Sequence, residues 1–259
     1  VIALDNNWKD LKQELQSRLF SHIIDLHNNL RTKRLCFGLK GNYHAFPKLN
    51  WEKWLMVNLK KNYLPHIHIV DRYLEAGSEL KLAYDGQGLD YFIPDQTELP
   101  PLPNQAFIAM AIGGQHATKR MPTEQLIRVI HTLEHPVVIL GGKEDRDTAL
   151  LLEQQFPEKV NASLCGSISL DQSALVLTKA TCLYTHDTGL MHMAAALRIP
   201  TVSIWGNTIP EFGMTPFYPE GHPAADQSAL FEVKGLSCRP CSKIGHSSCP
   251  KGHFNCMMQ

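Results

Sequence analysis

The chain has no excess of charge: 25 Lys and Arg balance 25 Asp and Glu. A surface-wide attraction to nucleic acid is therefore not expected. Nowhere does it reach the run of about 18 apolar residues that a membrane-spanning helix needs. No signal peptide is visible, so a cytoplasmic protein is expected. Its glycine pairs form neither G-x-G-x-x-G nor a Walker sequence, which leaves dinucleotide and ATPase readings without direct support. Cysteines number seven, and in a chain with α/β alternation they read as reduced thiols instead of a disulfide framework. What remains is ordinary for a globular protein, 44% hydrophobic and 19% charged, with a length that suits one large or two small domains.

The most informative stretch is TCLYTHDTGLMHMAAALRIPTVSIWG, residues 181–206. It reads as a strand at 182–185, a polar turn His186-Asp187-Thr188-Gly189, a short helix, and a strand at 201–205. Leu190, Met193, Ala194 and Leu197 recur at helical spacing and share one face. Asp187 or Thr188 is expected to supply the capping oxygen, and Pro200 stops the helix. The result is a compact βαβ unit with a helix N-terminus opening where its first strand ends. Free N–H groups and a partial positive charge make such an end a natural anion site, for a phosphate above all. His192, one turn in, can donate to the same anion, whereas Asp187 reads as a cap that fixes the turn. A helix start with no ligand is the alternative.

Asp-Thr-Gly-Leu-Met-His, followed by Ala-Ala-Ala-Leu and Pro-Thr-Val-Ser-Ile-Trp-Gly, resembles the nucleotide-sugar signature of the heptosyltransferases. These are the family 9 glycosyltransferases of lipopolysaccharide core assembly. The resemblance extends along most of the chain. It implies an α/β fold of GT-B type, two Rossmann-like domains with parallel sheets facing across a cleft, the C-terminal one holding the donor. It also implies that the N-terminal domain is incomplete, starting one or two βα units late, and that both ends are trimmed. Family members carry their presumed catalytic carboxylate in that first loop, so the base is not named in this sequence.

The expected division is an acceptor-side domain at 1–93, a Pro-rich linker at 94–104 and a donor domain with a Cys-rich tail at 105–259. A strand Val1-Ile-Ala-Leu4 opens the first domain, and a helix through Trp8, Leu11, Leu15 and Leu19 leads to a strand at 22–26. Asn28 and Arg31 follow in a loop that, in the family, faces the acceptor; the plainer reading makes Asn28 a helix cap and Arg31 a solvated residue. Residues 40–64 are basic and aromatic, with Trp51 and Trp54 on one face of a helix flanked by lysines. Packing of both tryptophans into the core is the simpler expectation; contact with an anionic inner-membrane surface or a lipid-linked acceptor is the other. A further helix is expected from Pro65 to Leu80. Beyond the linker, strands at 107–112, 136–140 and 162–164 alternate with helices near 122–133 and 145–155, which argues a parallel, doubly wound sheet.

Ligands bind beyond the C-terminal strand ends of such sheets. Lys119, alone among lysines in the loop 113–120, matches the family position that binds donor phosphate; Thr118 offers a hydroxyl, and Arg120 is expected to face solvent. Glu144 resembles the family residue at the nucleoside, or else is a first-turn acid favoured by the helix dipole. With Asp187, Thr188, Gly189 and His192 these form the expected donor site. The resemblance implies inverting transfer of a heptose or similar sugar from an ADP-activated donor to a lipopolysaccharide core or related glycolipid, without a required cofactor. A non-catalytic nucleotide-sugar-binding protein, or another GT-B enzyme such as an epimerase using Asp187 and Glu144, are the alternatives. Cys238, Cys241, Cys249 and Cys256 have the chemistry of a thiolate zinc site but irregular spacing; reduced, packing cysteines are the favoured reading.

Overall fold

The computed structural model describes residues 7–258, so the strand expected at Val1-Ile-Ala-Leu4 lies outside the described residues. The chain begins with α1 (Trp8–Ser17), β1 (His22–Asp25), α2 (Leu30–Cys36) and β2 (Asn42–Ala45). Next come α3 (Asn50–Leu59) and α4 (Ile69–Glu75), the latter trailed by a 3-10 turn at Ser78–Leu80. Two compact units result: residues 7–50 with Pro65–Tyr84, and Trp51–Leu64 with residues 85–258.

In the first unit β1 and β2 pair in parallel, His22 opposite Asn42 and Asp25 opposite Ala45. Side chains alternate along a strand, so Asp25 and Tyr43 share one face and His22 and His44 the other. The helix expected from Pro65 to Leu80 is shorter. His68 starts α4 by accepting the Val70 N–H at 3.2 Å. It ends before Gly77, where an added Cβ would lie 2.2 Å from the Leu82 side chain.

The second unit continues with β3 (Ile108–Ala111), α5 (Thr123–Thr132), β4 (Val137–Leu140), α6 (Arg146–Gln155), β5 (Val160–Ser163) and α7 (Leu170–Leu177). After these come β6 (Cys182–His186), α8 (Gly189–Ala196), β7 (Thr201–Trp205), α9 (Pro223–Asp226), β8 (Ala229–Glu232) and α10 (Asn255–Met258). The strands form one parallel sheet in the order β5-β4-β3-β6-β7-β8. This is the doubly wound order of dinucleotide-binding α/β folds, and its direction reverses between β3 and β6. The sheet buries both faces, which is why β3 and β4 read as unbroken apolar runs. Ala109, Ala111, Val138 and Leu140 pack beneath α7 and α8, while Ile108, Met110, Val137 and Ile139 pack beneath α5 and α6. The edge strand β8 was not expected from sequence: its Leu230 and Phe231 are exposed, so it carries no buried pattern.

Trp51 and Trp54 do not enter the core. They are 65% and 47% exposed and stack on each other, ring centroids 5.3 Å apart. The half-buried side of α3 is formed instead by Lys53, Leu55, Met56 and Val57, with Lys53 Nζ 5.8 Å above the Phe212 ring.

Candidate functional site

The reversal between β3 and β6 places two loops side by side, 112–120 after β3 and 187–188 before α8. A cavity of about 280 Å³ opens there, lined by Gln115, His116, Lys119, Asp187, Thr188, Gly189, His192, Met214 and Ile244. Thr188 is the residue preceding α8, yet neither its side chain nor that of Asp187 caps the helix. The expected capping oxygen is therefore absent, and the reason is the carboxylate's other partners. Asp187 Oδ2 lies 2.6 Å from Lys119 Nζ and accepts the Thr208 hydroxyl at 2.8 Å. Lys119 Nζ also donates to the Asp187 carbonyl at 3.2 Å. With the carboxylate turned to the lysine, the first N–H groups of α8 face the cavity without a side-chain cap. A Cβ built on Gly189 meets nothing within 4 Å, so the helix mouth is open.

The loop that carries Lys119 is fixed by a residue the sequence reading passed over. His186 is buried, and its Nε2 accepts the Met121 N–H at 3.0 Å. Burial holds its pKa down to about 4, so the ring is neutral, with its proton on Nδ1 facing the Gly113 carbonyl 3.5 Å away. Arg120 is only partly turned to solvent, 31% exposed: it donates to the Gly114 carbonyl and lies 3.3 Å from Asp145. Asp145 is itself buried and accepts the Gly142 N–H at 2.7 Å. This explains the first glycine of each pair, because a Cβ at Gly113 would lie 2.3 Å from Asp145 Oδ2 and one at Gly141 2.8 Å from it. Asp145-Arg146-Asp147 is an Asp-x-Asp spacing, but Asp145 is turned inward while Asp147 is exposed; the two carboxylates do not converge.

Other expected residues sit elsewhere. Thr118 is buried, its hydroxyl accepting the His246 N–H at 2.8 Å. Glu144 is exposed in the 3-10 turn Lys143–Asp145 after β4 and does not line the cavity. A larger cavity of about 380 Å³ lies against β6, β7 and β8 beside α5. Its lining includes no Lys, Arg or His, so the smaller, cationic one is the candidate for an anionic ligand.

The tail 236–258 belongs to the same neighbourhood. Arg239 donates to the carbonyls of Gly206 at 2.6 Å and Thr208 at 2.8 Å and pairs with Glu232 at 2.7 Å. Cys238, Cys241, Cys249 and Cys256 are free thiols. Burial pushes Cys256 up to about 11 and raises Cys241. Burial acts the same way on Cys249, but backbone N–H groups from Lys251 to Phe254 outweigh it and hold that thiol below its ordinary value.

In the first unit, Asn28 is not the cap of α2. That role belongs to Asn29, whose side chain accepts the Thr32 N–H at 2.9 Å while Thr32 Oγ1 accepts the Asn29 N–H at 3.1 Å. Asn28 has a left-handed backbone, φ 42°, and donates its N–H to Asp25 at 2.6 Å. Asp25 is buried and also accepts from the His27 N–H, the Thr32 hydroxyl and the Tyr43 hydroxyl at 2.9, 2.6 and 2.7 Å. Burial alone would raise its pKa; these bonds outweigh that and hold it below the usual carboxylate value. Arg31 is exposed in the first turn of α2.

Residues 8–250 match the sequence pattern of glycosyltransferase family 9 (heptosyltransferase). The chain belongs to that family. Its family 9 relative lipopolysaccharide heptosyltransferase 2 of Escherichia coli (strain K12) is 35% identical over 84 residues, 30% of this chain and 23% of that protein. The chain thus matches about a quarter of the length of curated relatives. The glycosyltransferase family 9 structure from Veillonella parvula DSM 2008 has a TM-score of 0.63 at 18% identity, covering 87% of this chain and 66% of that one. E. coli heptosyltransferase WaaC with ADP-2-deoxy-2-fluoro heptose has a TM-score of 0.57 at 20% identity, covering 91% and 73%. These likenesses show that this family 9 chain has the GT-B type of α/β fold.

Proposed function

We propose that the protein transfers a heptose or similar sugar, with inversion, from an ADP-activated donor to a lipopolysaccharide core or related glycolipid acceptor. The observation that carries this reading is Lys119 Nζ held 2.6 Å from Asp187 at the uncapped mouth of α8. In departure of a nucleoside diphosphate, negative charge accumulates on the phosphate oxygens while the sugar carbon becomes cation-like. Lys119, His192 and the α8 amides are preplaced donors for that charge, each such donor contributing about 3–4 kcal/mol. Asp187 orients the lysine, with Thr208 fixing its carboxylate in turn, and is a positioning residue. The donor in the WaaC structure, an ADP-heptose analogue, supports the choice of base and sugar.

On this reading residues 1–93 form the acceptor side, with Asn28 and Arg31 on the loop that Asp25 organises, and 94–104 link it to the donor domain. Asp25 is saturated by four hydrogen bonds and so is a scaffold, not the general base. The reaction needs no resident cofactor, and the protein works in the cytoplasm, with the Trp51–Trp54 face meeting the inner membrane. Calorimetric titration with ADP, UDP and GDP tests the donor. ADP should bind tightest, and Lys119→Ala should weaken it about 10- to 100-fold, the worth of one hydrogen bond to a charged group. Equal affinity for the three nucleotides would remove the heptose assignment.

A further inference from the structure

His22, His44 and Glu79 converge in the first unit, on the sheet face opposite Asp25 and Tyr43. Among the described residues they are the one group of three His, Cys, Asp or Glu side chains whose donor atoms all lie within 4.8 Å of one another. His22 opens β1, His44 lies in β2 diagonally across the pair, and Glu79 comes from the 3-10 turn Ser78–Leu80. His44 Nε2 is 3.3 Å from His22 Nδ1 and 3.4 Å from Glu79 Oε2. A single ring nitrogen holds either one hydrogen or one in-plane lone pair. With the hydrogen it can point at one of its two neighbours; with the lone pair it meets the carboxylate lone pairs head-on. A proton therefore does not satisfy both contacts, whereas a cation between the three atoms satisfies all of them.

We infer that His22, His44 and Glu79 bind a divalent ion of the zinc class. A tetrahedral ion with bonds of about 2.0–2.1 Å separates its ligands by roughly 3.4 Å, close to the two separations seen here. Two imidazoles and one carboxylate suit zinc or cobalt better than the oxygen-seeking magnesium or calcium. The Glu79 side chain is 61% exposed, which leaves the fourth position to water. The ion joins the 3-10 turn to a sheet that has two strands among the described residues, a size that is marginal without further support. This site is separate from the donor cavity and does not depend on the proposed transfer.

Cobalt(II) serves as the probe, read by equilibrium dialysis and by its visible spectrum, in the parent chain and in His44→Gln, Glu79→Gln and Cys241→Ser. The expected result is one ion with nitrogen and oxygen ligand-field bands and no sulfur charge-transfer band. It persists in Cys241→Ser and binds at least about 10- to 100-fold more weakly in Glu79→Gln and His44→Gln, since even outer-shell changes cost that much. Glu79 is exposed enough that Glu79→Gln keeps its fold, checked by circular dichroism, should His44→Gln not. No retained cobalt, or a sulfur-bound spectrum lost in Cys241→Ser and unchanged in Glu79→Gln, would overturn the inference.

Discussion

Lys119→Ala leaves the Asp187 carboxylate, 6% exposed, with the Thr208 hydroxyl as its side-chain partner. Breaking a buried pair by removing one member costs about 3–5 kcal/mol, because the other charge stays desolvated. Lys119 is itself 16% exposed, so water screens part of the interaction and the lower end, about 3 kcal/mol, is expected. Asp187→Asn keeps the shape and still accepts from Thr208, so its cost should be smaller, about 1–2 kcal/mol. The double variant should be more stable than the sum of the singles predicts by about 1–3 kcal/mol, since the two groups act as one unit. Nucleotide binding separates their roles. Lys119→Ala loses ADP affinity, whereas Asp187→Asn removes a carboxylate that repels the diphosphate and should leave affinity unchanged or improved. Urea denaturation gives the stability terms and calorimetry the affinities. Additive singles, together with unaltered ADP binding in Lys119→Ala, would refute the account of the site.

Gly113→Ala should destabilise by about 1–3 kcal/mol, because the new methyl meets a carboxylate already held by Gly142 and Arg120; the denaturant midpoint reports it. His186 is neutral when folded, with a pKa near 4 against 6.5 unperturbed, so below 6.5 the unfolded chain binds a proton that the folded chain does not. Its contribution is complete above pH 6.5 and falls as pH drops towards 4, by at most about 3 kcal/mol; His186→Gln should flatten the stability profile across that window whatever its effect at neutral pH. Trp51→Ser with Trp54→Ser should reduce cosedimentation with anionic vesicles while leaving the circular dichroism spectrum unchanged; equal sedimentation would exclude that face from membrane contact.

Strand–helix alternation in the second unit was legible because β3 and β4 are buried on both faces, and an unbroken apolar run announces that. The βαβ unit around α8 was legible to within a residue for another reason: helical spacing of Leu190, Met193, Ala194 and Leu197, with Pro200 and the turn residues marking its ends. What was not legible depends on contacts between distant segments. Asp187 reads as a cap until Lys119, 68 positions earlier, is brought beside it. Thr118 looks available for phosphate until His246 arrives from the tail. Arg120 looks solvated because nothing in sequence reveals that Asp145 folds back beneath it. The tryptophans of α3 mislead differently: periodicity identifies a face but not whether that face points in or out. Asp25 and His186 lie at strand ends, a placement that marks many polar residues and distinguishes few.

The Arg239 guanidinium, with its anchors at Gly206, Thr208 and Glu232, makes the tail part of the surroundings of the candidate cavity instead of an appendage. Ile244 stands at the cavity rim and His246 grips the turn bearing Lys119, both carried by the segment that this one side chain bolts down. Under the proposed function, oxidation or alkylation in the cysteine region should therefore register in nucleotide affinity, because the segment that carries Cys241 and Cys249 also carries Ile244 and His246.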